Sequence, residues 1–147
     1  MAKAYDPSRL LCHASGGNFW EVGDIASAHF YPEPQFPYRD ERFNGYIKVC
    51  GEMGGYGLVI PGHVHSPDKA HSYATTRNVE QLQNRYKESV QQLEYLRKQG
   101  ISAGVYTQTT DSWNEVNGLL TYDREPKLDA AWLKEVNTSA FGQAEGW

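Results

Sequence analysis

Hydrophobic and polar positions alternate in two rhythms along the chain. Between Val79 and Gln99, the residues Val79, Leu82, Tyr86, Val90, Leu93 and Leu96 recur at three- and four-residue steps. That spacing places them on one face of a helix. Glu80, Lys87, Glu88, Glu94, Arg97 and Lys98 fall elsewhere on it and read as the solvated face. Gly100 follows where a left-handed cap would end the helix. A shorter amphipathic pattern predicts a second helix from Leu128 to Val136, packed by Trp132, and residues 138–147 read as a linker.

The other rhythm is β-leaning. Arg9 to Ser15 is a short apolar run closed by Gly16-Gly17, and Asp24 to Tyr31 is a second, stopped by Pro32 and Pro34. Tyr46 to Glu52 is a third, with Gly54, Gly55 and Gly57 behind it, and Ile101 to Thr107 is a fourth. Met1 to Tyr5 is too short for an element, and Asp6-Pro7 reads as a turn. Asn18 to Gly23 is a loop carrying Phe19 and Trp20, and the prolines at 32, 34 and 37 leave room only for a short helix near Tyr38 to Phe43. Tyr56 to Thr76 reads as a long loop, of the kind that is functional or mobile in a compact domain. Gln108 to Asn117 reads as a polar loop.

Strands joined by helical or proline-rich crossovers predict a parallel α/β sheet. Three of the four end in polar groups: His29 and Tyr31, Glu52, and Gln108 with Asp111. In a parallel sheet these ends meet at one edge, where α/β folds bind ligands. A carboxylate ending a buried strand is costly unless it is used or paired there. Glu52 is therefore the position around which a site is expected.

Composition narrows the classes. A chain of 147 residues supplies one domain. Four Trp and ten Tyr are a heavy aromatic load, suited to a core and also to the flat apolar faces of a sugar-binding cleft. A net charge of −4 gives no electrostatic case for nucleic acid or an anionic membrane. There is no apolar run of about 18 residues and no signal-peptide pattern near Met1; the compartment stays open. Cys12 and Cys50 lie in apolar runs without a Cys-x-x-Cys pair, and read as buried thiols rather than a disulfide or zinc site. Gly51 to Gly57 superficially suggests a phosphate loop, but no helix start follows and Pro61 interrupts the next segment. His63, His65 and His71 lack cysteine or carboxylate partners at fixed spacing and read as polar surface, so no metal is expected.

Several stretches in order carry a resemblance. Asp6-Pro7-Ser8-Arg9, Ala14-Ser15-Gly16, Gly23-Asp24-Ile25 and His29-Phe30-Tyr31-Pro32 come first. Gly51-Glu52-Met53-Gly54-Gly55, the run Tyr106 to Asp111, and the run Asn117 to Arg124 follow. Together they resemble landmarks in the catalytic barrel of glycoside hydrolase family 2, which includes β-galactosidases, β-glucuronidases and β-mannosidases. The resemblance implies the C-terminal half, strands five to eight, of a (β/α)8 TIM barrel over residues 1–137.

It implies further that Glu52, ending the seventh barrel strand, is the nucleophile of a retaining β-glycosidase, and that Tyr31, ending the sixth, hydrogen-bonds it. His29 lines the same pocket. Gln108 and Asp111 are implied as contacts to sugar hydroxyls, and Trp20 and Trp113, on loops at that edge, as candidate sugar platforms. No cofactor is implied. Many members of the family carry a tryptophan near the position of Thr107, which is absent here. The family's acid/base glutamate belongs to an Asn-Glu pair ending the fourth strand, and this chain is expected to begin just after it. Asn114-Glu115 spells the pair but follows the eighth strand, and reads as a decoy. The expected partners are a β-glycoside, the other barrel half or a second copy through open strand edges. The alternative is a non-catalytic carbohydrate-binding or assembly module on the same scaffold.

Overall fold

The computed structural model describes residues 2–141. Its frame is a parallel three-stranded sheet: β1 (Ile25–His29), β2 (Ile47–Gly54) and β5 (Ile101–Thr107), in the spatial order β1-β2-β5. Between β2 and β5 the chain forms a parallel pair of short strands, β3 (Tyr56–Gly57) and β4 (Ala74–Thr75), and then helix α2 (Val79–Lys98). A short N-terminal helix α1 (Ala2–Tyr5) and a C-terminal helix α3 (Ala130–Phe141) complete the elements.

The expected fold class stands at the level of mixed α/β with a parallel sheet. Its strand count does not. Arg9–Ser15 is not a strand: it makes one parallel bridge, Cys12 to Ile25. The Leu11 carbonyl accepts from Asp24 N and Ile25 N, and Asp24 Oδ2 accepts from Leu11 N at 2.7 Å. That tie holds the segment at one point; further along, side chains rather than a backbone ladder join it to β1. Cys12 is accordingly exposed, against the expectation of a buried thiol, whereas Cys50 is buried and its thiol is pushed up to about 11 by burial.

Other boundaries shift for local reasons. Ala2–Tyr5 is helical, where no element was expected. β2 runs past Glu52 to Gly54, because its ladder to β5 continues through Met53 and Gly54. The expected helix near residues 38–43 is a single 3-10 turn, Glu41–Phe43, capped by the Asp40 carboxylate accepting from Arg42 N. The segment from Tyr56 to Thr76 is not a plain loop: it carries β3, β4 and a 3-10 turn, and the Thr76 N–H donates to the Gly57 carbonyl at 2.7 Å. Helix α3 starts at Ala130, with Asp129 Oδ1 accepting from Trp132 N, and continues through Phe141 into the expected linker. The remainder of that linker, residues 142–147, lies outside the described residues.

α2 forms as its pattern predicts. The Asn78 side chain accepts from Gln81 N, satisfying one of the free N–H groups of the first turn, and Gln81 accepts in turn from Arg77 N. Gly100, at φ +95°, ends it. Leu93 and Leu96 pack with Ala26, Cys50, Met53 and Ile101 to cover one face of the sheet. Further along, Leu82 packs with Tyr56, Leu58 and Leu128, and Tyr86 and Val90 meet Val136 of α3. Val79, expected on the buried face, is exposed in the first turn. Only one face of the sheet is covered by α2, and the site forms on the other.

Candidate active site

Along β1 the residues alternate. Ala26 and Ala28 face the α2-side core, while Ser27 and His29, and beyond the strand Tyr31, take the opposite phase. β2 follows the same alternation up to Cys50, which pairs with Ala28 and points into that core. Strict alternation would put Glu52 in the core beside it. Instead the register slips: Ala28 pairs with Cys50, but His29 pairs with Glu52. Gly51 is the extra residue of a β-bulge, and the bulge turns Glu52 onto the face of Ser27 and His29. Met53 then returns to the core.

Glycine is needed at the bulge. A Cβ on Gly51 would lie 2.0 Å from Ser27 Oγ and 2.7 Å from Ser15 Oγ. The space is taken by a hydrogen-bonded row in which Ser15 Oγ is 2.8 Å from Ser27 Oγ and 2.7 Å from His29 Nε2. His29 Nδ1 lies 3.7 Å from Glu52 Oε2. The Tyr31 hydroxyl donates a hydrogen bond to the same Glu52 oxygen. Among the described residues, the side-chain partners of Glu52 are Tyr31 and His29, and neither is a carboxyl group.

Tyr31 is held from its other side by Tyr73, whose ring stacks on it with centroids 3.7 Å apart and planes 3° from parallel. Gly55 permits this: at φ +72°, a Cβ there would lie 2.4 Å from the Tyr73 ring. Desolvation, then the hydrogen bond to Glu52, pushes the Tyr31 phenol well above the usual tyrosine range. Tyr31 therefore keeps its proton, and its place as donor to Glu52, to higher pH than an ordinary tyrosine.

Tyr31, His29 and Glu52 are thus brought together at the carboxyl edge of the sheet. Trp20 is 67% exposed and lines a cleft of about 440 Å³ that also contains His29, Ser27 and Phe43. Gln108 follows β5; its backbone pairs with Asn117 and Leu119, and its Nε2 is buried without an acceptor among the described residues. Asp111 corrects the expectation. It is buried, with Oδ1 bonded to Lys127 Nζ at 2.7 Å and to Gly118 N at 2.8 Å, so it ties two loop segments together rather than meeting a sugar hydroxyl. Burial raises its pKa and lowers that of Lys127, each only partly offset by the pairing. Trp113 is 70% exposed at φ +53° and packs edge-on against His65, with no contact to Tyr31, His29 or Glu52.

The loop histidines lie at the surface as expected: His65 and His71 are exposed and His63 is half-buried. His63 Nδ1 pairs with Asp123 Oδ2 at 2.8 Å, and His65 sits between Trp113 and Tyr122. Among the described residues no three His, Cys, Asp or Glu side chains group as metal ligands, and no helix is long and apolar enough to cross a membrane. A second cleft, of about 330 Å³, lies on the α2 side of the sheet between Leu93, Gly104 and Asn137, and no carboxylate lines it.

Ser15, Ser27 and Tyr73 are absent from the residues expected at the site. Ser27 had a signal, since Ser27, His29 and Tyr31 are polar at every second position through β1 and just past its end. Tyr73 had none, because only the β3–β4 pairing brings it over Tyr31. No family model matches the chain, and no curated protein matches it.

Proposed function

We propose that this chain is the nucleophile-bearing half of a retaining β-glycosidase barrel, with Glu52 as nucleophile. The observation that carries the reading is the hydrogen bond from Tyr31 to Glu52 at the carboxyl edge of a parallel sheet. The sequential strand order supports the barrel: β1, β2 and β5 neighbour each other in chain order, without the reversal of a doubly wound sheet. The segment around Cys12 takes the place of the fifth barrel strand, and β1, β2 and β5 those of the sixth to eighth.

In this reading Tyr31 holds Glu52 Oε2 and leaves Oε1 to attack the anomeric carbon. The C1–Oε1 bond forms as the bond to the leaving oxygen breaks, and water later hydrolyses the glycosyl ester to regenerate the carboxylate. Retention needs a second carboxyl group about 5–5.5 Å from the first to protonate the leaving oxygen. In this reading that acid is supplied by the other barrel half. Alone, the chain turns over only glycosides with good leaving groups, such as aryl glycosides. The exposed Trp20 ring at the cleft beside His29 favours a second reading, a non-catalytic carbohydrate-binding module.

A 2-deoxy-2-fluoro glycoside with a good leaving group separates the two. A mass gain on Glu52, lost in Glu52→Gln, supports the nucleophile. Sugar binding indifferent to that substitution, with no adduct in the presence of a co-expressed complementary half, supports the module.

A further inference from the structure

The row beneath Gly51 has a chemistry of its own. His29 uses both ring nitrogens: Nε2 lies 2.7 Å from Ser15 Oγ, and Nδ1 faces Glu52 Oε2 at 3.7 Å. One tautomer suits both contacts. With the proton on Nδ1, the nitrogen nearer the carboxylate, Nε2 is free to accept the Ser15 hydroxyl proton; at 3.7 Å the carboxylate acts on the ring by charge rather than through a hydrogen bond. The opposite tautomer would aim a lone pair at the carboxylate oxygen. Ser27 Oγ lies 2.8 Å from Ser15 Oγ, and when Ser15 gives its proton to His29 the Ser27 hydroxyl is the donor of that pair. A hydroxyl, an imidazole and an orienting carboxylate in this sequence of contacts are the parts of an activated serine nucleophile, whatever fold carries them.

The surroundings suit acyl transfer. Ser15 is exposed, so its Oγ is accessible to a substrate. The two residues that follow, Gly16 and Gly17, have backbone N–H groups with no acceptor among the described residues. Donors placed just after a nucleophile are where an oxyanion is commonly held. The cleft of about 440 Å³ is lined by Gly16, Gly17, Trp20, His29, Phe30 and Phe43, that is, by the two residues after the serine and by its hydrogen-bond partner His29. It is an aromatic recess of a size for a small acyl ester.

We propose that Ser15, His29 and Glu52 form a second catalytic constellation that hydrolyses small carboxylic esters. Ser15 Oγ adds to the ester carbonyl as His29 Nε2 takes its proton. The tetrahedral adduct collapses, the C–O bond to the alcohol breaks, and His29 returns the proton to the leaving alkoxide. Water, deprotonated by His29, then attacks the acyl-serine, releasing the carboxylic acid and restoring the serine. Ester and water give acid and alcohol. Glu52 acts through His29 and is a positioning residue here, whereas Ser15 belongs to this chemistry alone.

The test uses the full chain with p-nitrophenyl acetate as substrate and an alkyl fluorophosphonate as trap. The expected result is hydrolysis above the buffer rate, a phosphonyl adduct mapped to Ser15, and a loss of roughly 100-fold or more in Ser15→Ala. Glu52→Gln is expected to lower kcat with KM unchanged, with part of the rate recovered in Glu52→Asp. A correctly folded wild-type chain that leaves Ser15 unmodified by the trap, or equal hydrolysis in Ser15→Ala, overturns the proposal. If Ser15→Ala does not fold, adduct mapping on the wild-type chain decides alone. The fluorosugar adduct on Glu52 is read separately, so the glycosidase and esterase readings fail independently.

Discussion

Cys50 and Met53 point into the same apolar core although they stand three positions apart in one strand. The slip between them is what delivers Glu52 to the opposite face, beside His29 and Tyr31. Gly51→Ala puts a methyl group into the space of the Ser27 and Ser15 hydroxyls. Both can rotate away only by giving up the hydrogen bonds that hold His29. The expected cost is about 1–3 kcal/mol in denaturant unfolding. Ser27→Ala in the same chain is expected to recover part of it, since it removes the closer oxygen.

Tyr31→Phe removes the donor to Glu52 while leaving the ring stacked on Tyr73. A hydrogen bond to a charged group contributes about 1.5–3 kcal/mol, so the rate of Glu52 modification by the fluorosugar is expected to fall roughly 10–100-fold. The pH dependence has a definite sign. The Tyr31 phenol is held above its ordinary value of 10.0, so its stabilising contribution is full below that value and is lost as pH rises through the folded one. The difference in unfolding free energy between wild type and Tyr31→Phe is therefore expected to shrink on going above pH 10.0.

Tyr73→Ala uncovers the stacked face of Tyr31. Because desolvation is the largest cause of the raised phenol, re-exposure is expected to move its titration back towards 10.0. Following the ring carbon bearing the hydroxyl by NMR across the alkaline range checks this directly. An unchanged midpoint would mean that the shift comes from Glu52 rather than from the stacked ring.

Asp111 and Lys127 form a buried ion pair, with side chains 2% and 0% exposed. Breaking it with Lys127→Met leaves a buried carboxylate alone, with an expected cost of about 3–5 kcal/mol. Replacing both, as Asp111→Leu with Lys127→Met, is expected to recover much of that loss. It does not recover all, because Gly118 N and the Val116 carbonyl lose their partners. With a folded pKa raised above 3.8, Asp111 binds its proton more tightly folded than unfolded. Its contribution therefore falls as pH rises from 3.8 through the folded value, and wild type should lose stability relative to Asp111→Asn over that interval. Urea titrations of the two proteins across the acid range test the sign.

Local pattern determined much of this molecule by itself. The three- and four-residue recurrence of Leu82, Tyr86, Val90, Leu93 and Leu96 specifies α2, because every residue that sets a helical face lies within a few turns of its partners. The β-leaning runs specify β1, β2 and β5, and the punctuation between them implies a parallel arrangement. Glu52, Tyr31 and His29 were legible as polar groups at strand ends.

Tertiary structure decided which face each of those groups occupies. Strand periodicity alone sends Glu52 into the core with Cys50; only pairing with β1, around the Ser15–Ser27–His29 row, places the extra residue at Gly51 and reverses it. Asp111 looked as available as Glu52 until Lys127, far along the chain, folded onto it. The same holds for Tyr73, carried over Tyr31 by the β3–β4 pairing. Register, long-range charge pairing and stacking depend on residues distant in sequence, and a local pattern carries no record of them.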